Sequence, residues 1–153
     1  MGYRSEVVII VQMDDHEDEE SIRNWHLFIT ELKTDSKCDS AMRELMNGDK
    51  YDGLGTENGI DMKNCSLYVR FDDVKWYDTD EWVQSFNHII GKASHYCEDS
   101  KFGMSACFLR VGEETNDVVE EGYGDCWQDL AYISTPYIET TGGTFDPDNK
   151  LIN

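Results

Sequence analysis

The chain is 153 residues long and carries 32 Asp and Glu against 13 Lys and Arg, a formal net charge of −19. A hydrophobic fraction of 39% and an aromatic fraction of 12% exclude a disordered polyanion and supply apolar surface for the core of one domain, residues 1–153. The charge excludes direct binding to nucleic acid or to an anionic membrane, because no clustered Lys or Arg offsets the repulsion.

The first element is an apolar, β-branched run at 7–11, which predicts a central strand. Its five residues are the longest apolar run in the chain, far short of a bilayer span. With only Arg4 basic ahead of it, no secretory leader is expected, and the reading is a cytoplasmic protein. Asp14, Asp15, Glu17, Asp18, Glu19 and Glu20 follow within seven positions. Ile22, Trp25, His26, Ile29 and Leu32 then recur at helical spacing and predict a helix over 19–33. Acid before a helix N-terminus is favoured by the macrodipole, by about 0.3–1 kcal/mol for a well-placed group. One or two carboxylates would satisfy that effect, so the density of the cluster has another cause.

Residues 35–64 are the most polar stretch and read as an excursion from the sheet. It holds a short helix over 39–46, stopped at Asn47 and Gly48, and then a glycine-rich loop. Residues 65–71 alternate, with Cys65, Leu67, Val69 and Phe71 on one face, as in a strand whose second face is half wet. Asp78 and Glu81 resemble a capping box opening a helix over 80–96. Trp82, Val83, Phe86, Ile89, Ile90, Ala93 and Tyr96 form its apolar stripe. A third strand is predicted over 105–111. The following segment predicts a hairpin that turns near 122–125, its last strand ended by Pro136, with a frayed tail from 140. The resulting fold class is α+β: a two-layer sandwich with a mainly antiparallel sheet of about five strands and two long helices on one face.

Chemistry-bearing motifs are sparse. Cys38, Cys65, Cys97, Cys107 and Cys126 are odd in number with no close pair, which fits reduced thiols and neither a disulfide framework nor structural zinc. The segments FDPDNK and NGDKYDG echo calcium loops but lack the glycine and glutamate that complete one, and turn chemistry explains both. The four histidines are scattered, and Cys97 with His95 carries no mark of a nucleophile pair. Asp61, Asp73 and Lys75 could form a Mg²⁺ nuclease constellation, a carboxylate plus acid-x-Lys near strand ends. A polyanionic enzyme would have to overcome repulsion from that substrate. No cofactor and no metal is therefore expected.

The acid itself is the remaining signal. Besides residues 14–20 it includes Asp72, Asp73, Glu113, Glu114, Asp117, Glu120, Glu121 and Asp125. Carboxylates at helix or strand spacing lie roughly 5–7 Å apart, similar to phosphates along one nucleic-acid strand. Such a surface can occupy a basic groove, and Trp76 and Tyr77 offer aromatic anchors beside it. Solubility alone is the simpler account.

The segments MGYRSEVVIIV, YVRFDDVKWYDTDEWV and FLRVGEETNDVVEEGYG resemble a family of short acidic proteins encoded by bacteriophages and prophages. The resemblance covers about half the chain and carries no catalytic residue over. It implies an accessory protein acting in the cytoplasm of an infected bacterium. Together these readings predict a non-enzymatic protein that binds and inhibits a basic host protein handling nucleic acid, through a surface that imitates nucleic acid. The alternatives are the Mg²⁺ nuclease and an acidic assembly module.

Overall fold

The computed structural model describes residues 2–46 and 59–134. In chain order these form β1 (Ser5–Met13), α1 (Glu19–Thr34), α2 (Asp39–Met46), β2 (Gly59–Asp61), β3 (Ser66–Val74), α3 (Glu81–Glu98), β4 (Met104–Gly112), β5 (Val118–Tyr123) and α4 (Trp127–Ser134), with single 3₁₀ turns at Ser36–Cys38 and Ser100–Phe102. The five strands make one antiparallel sheet in the order β2-β3-β1-β4-β5. The fold is the expected α+β sandwich.

The pleat explains why β1 takes the centre. Its side chains alternate between faces, and both faces are apolar: Val7, Ile9, Val11 and Met13 on one, Val8 and Ile10 on the other. Register places Ile9 opposite Val69 of β3 and Phe108 of β4. That face meets α1, α2 and α3 in the main core, where Trp25, Phe28, Phe71 and Phe86 are essentially fully buried. Phe71, Trp76, Trp82, Phe86 and Phe108 form a continuous aromatic cluster with ring centroids 5.3–6.3 Å apart.

Several expectations change. The buried stripe of α1 is Ser21, Asn24, Trp25, Phe28, Ile29 and Leu32; His26 is exposed and Ile22 only partly covered. Phe28 draws the face around, because it packs on Trp25 and on Tyr96 of α3. The N-cap of α3 is Asp80, so the Asp78–Glu81 pair is not its capping box.

Nor is the polar excursion separate from the sandwich. Ala41 N–H donates to buried Ser85 Oγ of α3 at 2.9 Å, and β2 joins the sheet edge beside β3. Residues 47–58 lie outside the described residues, as do the two calcium-like segments and the tail from 140.

The largest correction concerns the C-terminal part. The hairpin turn lies between Gly112 and Val118, with Asn116 at φ 72°, and joins β4 to β5. The expected turn at 122–125 instead leads into a helix, α4, through Gly124 at φ +85°. Trp127 and Leu130, three apart, share one helical face and cover Val8, Ile10, Cys107 and Leu109 on the second face of the sheet. The Trp127 ring rests directly on Gly122, where no side chain intervenes. The half-wet face thus carries a helix of its own.

Candidate functional site

Sheet register sorts the acidic residues into two ends. β1 leaves the sheet at Met13, opposite Met104, and this end (the upper end) receives the β1–α1, β2–β3, α3–β4 and β5–α4 connections. Ser5 marks the lower end, opposite Val74 and Gly112.

At the upper end the acidic run is tied down at its root. Asp14 N–H donates to Gly103 O at 2.6 Å, and Ser105 Oγ donates to Asp14 Oδ1 at 2.7 Å. Ser105 Oγ in turn accepts from Cys126 N–H at 2.9 Å, which joins the β5–α4 turn to the same point. Glu17 N–H donates to Asp15 Oδ1 at 3.0 Å, closing a local turn. Asp18 is the N-cap of α1, yet its carboxylate accepts only from Ser21 Oγ at 3.4 Å and bonds no helix N–H.

Asp14, Asp15, Glu17, Asp18, Glu19 and Glu20 are all exposed, and none makes an ion pair among the described residues. Asp125 and Asp129 join them across the Cys126 turn. Burial first, and then the charges of Asp14, Asp129 and Asp125, push the Cys126 thiol up.

The lower end engages several of its acids internally. Arg110 is forked onto Asp117 at 2.8 and 3.2 Å, and Tyr3 Oη donates to the same carboxylate at 2.5 Å. Those hydrogen bonds, Arg110 first and Tyr3 second, hold Asp117 below the usual carboxylate range. Arg70 pairs with Asp72 at 2.9 Å and with Glu6 at 3.7 Å, while Arg4 lies 3.9 Å from Asp73. Glu113 accepts from Arg4 N–H, and Glu114 N–H donates to Tyr3 Oη at 2.9 Å. Glu120 and Glu121 are exposed on opposite faces of the edge strand β5.

Not all the expected site residues belong together. The stretch from Glu113 to Asp129 is divided between both ends and an edge. Trp76 is buried against Phe71, Trp82, Phe86 and Phe108, so it is a core residue and no free anchor. Tyr77 is 36% exposed, but its hydroxyl accepts from Tyr3 N–H at 2.8 Å.

The nuclease trio is not assembled. Asp61 pairs in register with Ser66, seven residues along β3 from Asp73, a separation of roughly 23 Å at strand rise. The Asp61 carboxylate is already engaged by Lys63 N–H, Asn64 N–H and Asn64 Nδ2 at 2.8–2.9 Å, a turn that holds it in the charged form.

Sequence reasoning missed Ser105. It is fully buried yet ties two loops to the sheet, and a lone serine opening an apolar strand was its only signal.

The fold and this distribution define an acidic α+β sandwich whose 14–20 carboxylates carry no ion pair among the described residues. No family model, curated protein or solved structure matches the chain. The likeness to acidic phage proteins therefore rests on the quoted segments alone. Among the described residues no helix is long and apolar enough to cross a membrane.

Proposed function

We propose that this protein binds a basic, nucleic-acid-handling protein of a bacterial host and inhibits it by occupying its nucleic-acid site with the upper end of the sheet. One observation carries the reading: the carboxylates of 14–20 are exposed, lack cationic partners among the described residues, and are anchored through Asp14 to Gly103 and Ser105. A charge array fixed before encounter loses little freedom on binding and steers a basic partner toward it. Acids that served only solubility would need no such anchoring. The lower end, where Arg4, Arg70 and Arg110 pair with Asp73, Glu6, Asp72 and Asp117, has less to offer a cationic groove.

The test has two stages. Proteins from a bacterial lysate that are retained at low salt and released at high salt are identified by mass spectrometry. Association of each with the wild-type chain is then compared with that of an Asp15→Lys, Glu17→Lys, Asp18→Lys variant. The expected result is an association rate about tenfold lower and a shallower salt dependence. Unchanged affinity and salt slope, after Asp125 and Asp129 are reversed as well, would refute the mimicry.

A further inference from the structure

Along the helix-covered side of the sheet, a groove of about 610 Å³ runs between α3 and strands β4 and β5. Half-buried Tyr123 gives it an aromatic wall with the buried Trp76 and Phe108 beneath, and Gly91 of α3 leaves the opposite wall without a side chain. Asp78 and Glu121 line it, and neither forms an ion pair among the described residues. The cation within it, Arg110, is already neutralised by its fork onto Asp117.

We infer that this groove receives an arginine side chain of a basic protein partner, its guanidinium stacked on the Tyr123 ring and hydrogen-bonded to Glu121 and Asp78. The chemistry selects this occupant over others. Two carboxylates without a cationic partner among the described residues, Glu121 accepting only from Tyr123 Oη at 3.5 Å, reject anions, and an aromatic face favours a delocalised planar cation over a compact, strongly hydrated ammonium. A guanidinium offers donors to both carboxylates at once, as Arg110 does to Asp117 in the same groove. A second copy of this chain is disfavoured, because it would set Glu120 and Glu121 of the edge strand against another chain of net charge −19. The groove lies apart from the Asp14–Glu20 run, so the inference does not depend on the mimicry proposed above.

The test uses the full chain, ¹⁵N-labelled, titrated with the capped amides of arginine, lysine and citrulline, the last a neutral isostere. Arginine amide should shift the Trp76 indole and the Gly91 and Tyr123 amides, binding about tenfold tighter than the other two. Glu121→Gln alters an exposed side chain on an edge strand; with the amide spectrum otherwise preserved, it should weaken arginine binding about tenfold. The Asp15→Lys, Glu17→Lys, Asp18→Lys variant should bind arginine amide as the wild type does. Citrulline or lysine binding as tightly as arginine, or shifts confined to residues 14–20, would overturn the inference.

Discussion

Phe86 and Trp82 lie four apart on α3, and the apolar stripe makes them look equivalent, with tryptophan the larger loss. The structure reverses that order. Phe86 is 1% exposed and contacts Phe71, Trp76 and Trp82 at centroid distances of 5.7–6.1 Å, whereas Trp82 is only half-buried. For Phe86→Ala, lost transfer free energy of about 2 kcal/mol adds to a cavity term of similar size, near 24 cal/mol per Å³ of unfilled space. The total is about 4 kcal/mol, a large share of a typical domain stability of about 5–15 kcal/mol. Removing Trp82 leaves space open to water, so little cavity term arises and about 2 kcal/mol is expected. Urea unfolding followed by far-UV circular dichroism measures both variants without relying on the deleted fluorophore. If Trp82→Ala cost more than Phe86→Ala, or if Phe86→Ala cost less than 1 kcal/mol, the packing described for α3 would be wrong.

Asp117→Asn breaks the link among Arg110, Tyr3 and the β4–β5 turn and should lower the melting temperature at neutral pH. Because the folded state holds Asp117 below its ordinary value of 3.8, its contribution is present above that value and lost as pH falls through the folded one. The gap between variant and wild type should therefore narrow as pH falls below 3.8 and through the lower folded value; a gap independent of pH would remove the charge from the explanation. Burial pushes the Cys38 thiol up to about 11 and those of Cys97 and Cys107 up to about 12, so these should resist iodoacetamide at pH 8 until the chain unfolds. Cys126, the one thiol not fully buried, should react first, and prior labelling of Cys107 in the native protein would contradict the second-face packing.

What the sequence by itself determined was local and periodic. Residues 7–11, apolar and β-branched throughout, marked a strand at the centre of the sheet. The three-to-four spacing of Trp25, Ile29 and Leu32, and of Phe86, Ile90 and Ala93, required helices with one buried face each. Net charge and the density of acid at 14–20 were likewise plain in the composition.

Tertiary structure decided everything that depends on who meets whom. Whether a carboxylate is free or spent can depend on a cation far away in sequence: Asp73 faces Arg4 and Glu6 faces Arg70, both brought together where β1 pairs with β3. No local pattern distinguishes them from Asp15 or Asp18. Aromatic and β-branched residues in 126–134 favoured a strand by propensity. Trp127 and Leu130 instead had an uncovered sheet face to bury, and a helix aligns two residues three apart where a strand would point them to opposite sides. Trp76 followed the same logic: beside acids in sequence it resembled a surface anchor, but the aromatic side chains of β3, β4 and α3 enclose it in space, and burial among them outweighs any role at the surface.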